Sequence, residues 1–110
     1  MAGSRVVVVN RADVPEGGAT VVSVDADLAI AVFRVGDSFY AIDNRCPHKG
    51  GPLGLGVLSG SVVTCPWHGF TVDVRTGVCP RNPGLRVRAF EVEAAGDDLR
   101  ITIDSRRAGP

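Results

Sequence analysis

Two short segments of this chain share one plan, Cys46-Pro47-His48-Lys49-Gly50-Gly51 and Cys65-Pro66-Trp67-His68-Gly69-Phe70, with sixteen residues between His48 and Cys65. Together they take up both histidines and two of the three cysteines. Each supplies one thiolate sulfur and one imidazole nitrogen, followed by a glycine that lets the backbone turn tightly. A fold that used all four donors would have to bring the two segments side by side. Two Cys and two His suit either a tetrahedral zinc ion or a [2Fe–2S] cluster with imidazoles on one of its irons. Zinc sites usually group their ligands as C-x2-4-C and H-x3-5-H, whereas both segments here mix the two types. A single Cys is more often a small buried hydrophobe than a ligand. The pairing occurs twice, and that favours a metal.

The rest of the chain sets bounds on what can surround such a site. With 110 residues, it is expected to form a single domain over residues 1–104, with a polar, disordered tail at 105–110. Twelve basic and twelve acidic side chains cancel, so charge gives no reason to expect nucleic acid or an anionic membrane as partner. The longest apolar runs, such as residues 6–9, fall far short of the roughly 20 residues that cross a bilayer. No charged-then-apolar leader opens the sequence. Three cysteines, two of them in the paired segments, leave no disulfide framework and suit a reducing, cytoplasmic setting.

Local patterning predicts strands throughout. Residues 6–9 are a β-branched run, ended by Asn10 and the turn-rich Val14-Pro15-Glu16-Gly17-Gly18. Residues 20–24 follow, and then 28–35 and 38–42, which read as a hairpin about Gly36-Asp37. Residues 62–64 lead into the second Cys-Pro segment and 70–74 lead out of it, towards a turn at Thr76-Gly77. The last predicted pair is 85–93 with 99–103, where Leu85, Val87 and Ala89 alternate with Arg86 and Arg88. No window shows helical periodicity.

The doubled segment resembles the motif of the Rieske family, C-x-H followed some sixteen residues later by C-x-x-H, with Cys46, His48, Cys65 and His68 in the ligand positions. The resemblance is strongest over residues 44–55 and 63–77. It implies an all-β, Rieske-type antiparallel β-sandwich with a small cluster-binding subdomain, loops 46–51 and 65–70, from Cys46 to about Val72. It also implies one [2Fe–2S] cluster per chain, with Cys46 and Cys65 on the iron that stays ferric and His48 and His68 on the iron that is reduced. High-potential members carry an extra Cys in each loop, at the positions of Gly51 and Trp67. They also place a Ser and a Tyr hydroxyl against the cluster, at the positions of Phe70 and Val72. Lacking these, the chain resembles the low-potential, ferredoxin-like branch. Residues 77–83 resemble the proline loop that covers the cluster, and within it Cys79 reads as a small buried side chain.

Catalysis by this chain alone is not expected. A mononuclear iron site needs two further histidines and a carboxylate, and both histidines are already assigned. The resemblance therefore implies a one-electron carrier, taking electrons from a flavin-dependent reductase to a terminal aromatic-ring-hydroxylating oxygenase. Docking would be transient, at the cluster tip, through an apolar rim of Pro47, Leu53, Leu55, Trp67 and Pro83. Two alternatives stay open at this stage: the small subunit of an assimilatory nitrite reductase, beside its large subunit, and a zinc-stabilised interaction module.

Overall fold

A computed structural model describes residues 4–46, 51–67 and 69–104. The tail expected at 105–110 lies outside the described residues. Among the described residues nine strands form two antiparallel sheets: β1 (Ser4–Asn10), β2 (Ala19–Ser23), β3 (Ala29–Val35), β4 (Ser38–Asp43), β5 (Val57–Ser59), β6 (Val62–Thr64), β7 (Thr71–Asp73), β8 (Ala89–Ala95) and β9 (Asp98–Asp104). The larger sheet runs β1-β9-β8-β4-β3-β2 and the smaller β5-β6-β7. The only helical pieces among the described residues are single 3₁₀ turns at Arg11–Asp13 and Leu53–Leu55.

The β3–β4 hairpin is the wall on which both cores are built. It pairs Val35 with Ser38 around Gly36, whose φ of 61° suits the tight turn. Residues 30–33 of β3 are all buried, whereas a strand with one wet face would alternate. Ile30 and Val32 face a core shared with Val9, Val14, Ala41, Leu99, Ile101 and Ile103. Ala31 and Phe33 point the opposite way, into a core with Ile42, Cys46, Leu53, Val63, Cys65, Val72 and Val74. The small sheet therefore packs onto the far face of the hairpin, and the two cysteines of the paired segments lie in the core between them.

Strand placement follows the sequence closely, with two differences. Strand β5 was not foreseen; it pairs Val57 with Thr64 and Ser59 with Val62 across a turn at Gly60. Its three residues are too short and too glycine-flanked to show a period. The strand predicted over 85–93 begins only at Ala89. Residues 77–87 instead fold back on themselves: the Val87 N–H donates to the Gly77 carbonyl (2.8 Å) and the Cys79 N–H to the Leu85 carbonyl (3.1 Å). Gly77 sits at φ 80°, and a Cβ there would strike the Val87 carbonyl oxygen.

Candidate metal centre

Each Cys-Pro loop is closed by the same backbone bond. In the first, the Cys46 N–H donates to the carbonyl of Gly51 (2.8 Å); in the second, the Cys65 N–H donates to the carbonyl of Phe70 (2.7 Å). Both closures join residues five apart in the chain, so the two loops share one size. The first loop is anchored by Asn44. Its carbonyl accepts from the Leu53 N–H (2.8 Å), and its side-chain Oδ1 accepts from the Gly54 N–H (2.7 Å). The second grows from β6 and returns through β7, with Gly69 at φ 70° donating its N–H to the Cys65 carbonyl (3.1 Å).

The loops meet at Gly51. A Cβ on that residue would lie 2.7 Å from Cys65 Sγ and 3.1 Å from Cγ and Cδ2 of Trp67. The first loop's backbone thus lies directly against the second loop's sulfur and aromatic ring, and no side chain fits between them. The juxtaposition also bears on the absent disulfide. The positions where high-potential relatives are expected to hold extra cysteines, Gly51 and Trp67, are neighbours across the loops, and neither carries sulfur. Cys46 and Cys65 are both 2% exposed, in one apolar cluster, and neither is in a disulfide. Two buried sulfurs in matching loops, clear of disulfides, suit the thiolate half of a two-iron site.

The expected nitrogen donors, His48 and His68, lie outside the described residues, as does Pro47. Among the described residues no group of three or more Cys, His, Asp or Glu is placed to hold a metal ion. Cys79 is also free and buried, in the 77–87 fold-back. Val72 is fully buried and Phe70 packs at the edge of the same core as the two cysteines, so both hydroxyl slots hold hydrocarbon.

One expectation about the rim fails. Leu53 is fully buried beneath the first loop and belongs to the core; the 3₁₀ turn points it inward and Leu55 outward. Leu55 and Trp67 are exposed as expected, at 72% and 59%, and Pro83 is exposed as well. Val57, which the sequence did not single out, joins them at 72%. Its pairing with Thr64 sets it beside the entry to the second loop. Beyond that loop, Asp73 clamps the following turn by accepting from the Arg75 N–H (3.0 Å) and Nη2 (3.0 Å). The Arg75 side chain is the main cause that holds the Asp73 carboxyl below its ordinary pKa.

Residues 4–93 match the Rieske [2Fe-2S] domain family, and the chain belongs to that family. Its cofactor is a Rieske [2Fe–2S] cluster, and the zinc alternative gives way to it. Among relatives, ferredoxin CarAc of Metapseudomonas resinovorans is 43% identical over 78 residues, covering 70% of this chain and 73% of that one. The 3-phenylpropionate/cinnamic acid dioxygenase ferredoxin subunit of Escherichia coli K12 is 35% identical over 94 residues, covering 84% and 87%. A solved complex of reduced oxygenase and oxidized ferredoxin in carbazole 1,9a-dioxygenase contains a chain with a TM-score of 0.80 and 31% identity, covering 92% of this chain and 94% of that one.

Proposed function

We propose that the chain is a Rieske-type ferredoxin, carrying single electrons from a flavin-dependent reductase to a terminal, aromatic-ring-hydroxylating oxygenase in the cytoplasm. The observation that carries this reading is the pair of buried, disulfide-free cysteines in two matching loops, with Leu55, Val57 and Trp67 exposed in and around those loops. Cys46 and Cys65 would hold the cluster through sulfur and His48 and His68 through nitrogen, and the bound cluster supplies reversible one-electron chemistry. The chain's own residues keep water from the sulfurs: Leu53, Val63, Val72 and Val74 pack around them. The name of the dioxygenase ferredoxin subunit and the solved ferredoxin–oxygenase complex support an oxygenase as acceptor. Among the described residues no helix is long and apolar enough to cross a membrane.

A carrier that meets two partners in turn needs a small, weak interface, below about 1,200 Å² in total. Trp67 is the natural anchor, because exposed aromatics dominate the energy of such patches. Trp67→Ala is expected to slow electron delivery by about tenfold, the equivalent of 1.4 kcal/mol of lost docking energy, with an unchanged visible spectrum. Reconstituted turnover with a reductase and an oxygenase is the measurement. Unchanged rates to both partners would reduce Trp67 to a shield over the site. Co-purification in fixed ratio with a large sirohaem protein, without exchange, would replace the free carrier with the nitrite-reductase subunit.

A further inference from the structure

Neither sulfur of the paired loops is open to solvent, since Cys46 and Cys65 are each 2% exposed. A reagent that removes iron from such a site must first part the chain around one of them. The two loops are held differently. The second rises from β6, the central strand of the small sheet, which pairs with β5 on one side and β7 on the other. Val63 and its partner Val72 are fully buried there. The stem of the first loop belongs to neither sheet. Its arms, 44–46 and 51–54, meet through the isolated pair of Arg45 and Pro52, and Pro52 has no N–H to donate. Local opening begins where ladder bonds and buried contacts are sparsest, and that is this stem.

Asn44 ties the stem together. Its N–H donates to the Ala29 carbonyl of β3 (2.9 Å), which fixes the ingoing arm to the large sheet. Its carbonyl accepts from the Leu53 N–H (2.8 Å), a bond that any residue at this position makes. The third bond depends on residue type: Oδ1 of the side chain accepts from the Gly54 N–H (2.7 Å). The fit around that bond is close. A Cβ on Gly54 would lie 2.9 Å from Asn44 Oδ1 and 2.4 Å from Val21 Cγ2, so the outgoing arm is pressed between the carboxamide and β2. Leu53 roots the same arm in the core. Three residues before Gly54, that arm carries Gly51, whose backbone lies against the Cys65 sulfur.

We propose that Asn44 is a positioning residue for cluster retention. By holding Gly54 it keeps Gly51 against the Cys65 sulfur, and so sets how slowly the site gives up its iron. This rests on the ligand assignment above and is independent of which redox partners the chain serves. Deleting the carboxamide leaves the Gly54 N–H without that acceptor. The net worth of one such hydrogen bond corresponds to about two- to tenfold in an opening equilibrium.

The test is the rate at which holoprotein loses its colour to excess EDTA in high salt. Asn44→Ala should bleach about two to ten times faster than the unsubstituted chain. Asn44→Asp keeps an acceptor for Gly54 and should bleach at the parent rate. The salt screens its added charge from Asp25, Asp27 and Asp43, which line one pocket with Asn44. Gly54→Ala disturbs the same contact from the other side and should also bleach faster. The double variant should fall short of the product of the two single effects, because both act on one interaction.

Asn10→Ala separates positioning from general loss of stability. Asn10 Oδ1 accepts from the Ala12 N–H (2.8 Å), a bond of the same type. It lies at the other end of the large sheet: Asn10 pairs with Asp98 and Asp98 with Ala95, while Ile42 pairs with Ala89 at the opposite end of β8. This variant should bleach at the parent rate even if it melts as low as Asn44→Ala. Amide exchange of the holoprotein gives a second readout. Residues 51–56 should exchange faster in Asn44→Ala, and the β6 strand should not. Asn44→Ala that purifies without iron, beside iron-loaded Asn10→Ala and Asn44→Asp, is the same result at its limit. Asn44→Ala bleaching at the parent rate overturns the proposal, as does equal acceleration by Asn10→Ala or by Asn44→Asp. A parent chain that carries no iron and sulfide overturns the ligand assignment instead.

Discussion

Cys65→Ser purifies colourless, where the unsubstituted chain is red-brown with about two iron and two sulfide per chain. The same loss is expected for Cys46→Ser, His48→Ala and His68→Ala, because a two-iron site with one ligand missing has no spare donor to recruit. Cys79→Ser keeps its colour, since that thiol sits in the 77–87 fold-back and outside the paired loops. Stability should follow occupancy, because ligand binding and folding of the loops are coupled. Cys46 and Cys65 also occupy the core under the small sheet, so losing the cluster loosens that core. Each ligand variant should therefore melt at least about 5 °C lower, given that about 1 kcal/mol shifts a domain of this size by about 4–8 °C. Gly51→Val offers an independent check that replaces no ligand. Its Cβ would lie 2.7 Å from Cys65 Sγ, so the sulfur must move and iron content should fall. Iron and sulfide analysis with thermal melts reads all of these. A colourless Cys79→Ser beside a coloured His48→Ala would overturn the ligand set.

The parts of the fold legible in the sequence are those where one residue type carries the signal. The β3–β4 hairpin announces itself through β-branched runs on either side of Gly36-Asp37, and β9 through Leu99, Ile101 and Ile103 on alternate positions. Strand β5 was invisible because three residues between glycines have no period to read, and its existence depends on β6 as a partner. The false start at Leu85 has a tertiary cause. Alternation of apolar and Arg side chains has the period of a sheet strand, while the backbone bonds of 85–87 go to Gly77, Cys79 and Asn82. Leu53 was misplaced for a related reason. Composition shows that residues 53 and 55 are both leucine, and only the 3₁₀ turn decides which one faces the core. The paired loops were legible as a metal motif. Their matching closures, the contact through Gly51 and the anchoring role of Asn44 were not, because each depends on backbone geometry that residue identity does not encode.

The reduction potential should lie near the low end of the Rieske range, about −150 mV. Reduction adds one negative charge, and a protein raises the potential by aiming hydrogen-bond donors at that charge. At the two positions where high-potential relatives are expected to place hydroxyls the core holds Phe70 and Val72, beside Leu53, Val63 and Val74, and none of these five carries a hydroxyl. Restoring one donor should therefore raise the potential. A hydrogen bond to a charged group is worth about 1.5–3 kcal/mol, and a one-electron couple moves 59 mV per tenfold, or 1.4 kcal/mol. The rise should be about 60–130 mV if the whole of that energy favours the reduced state, which makes the figure an upper bound. Phe70→Ser is the better variant, because it replaces a large, partly buried ring with a smaller side chain. Val72→Tyr would have to enlarge a fully buried position on β7, opposite Val63, and overpacking of that kind costs about 1–3 kcal/mol. Protein-film voltammetry on samples matched for iron content makes the comparison. A parent potential well above zero would mean that donors outside these side chains set its value. A Phe70→Ser protein with full iron and no upward shift would mean that the hydroxyl at this position does not reach the reducible charge.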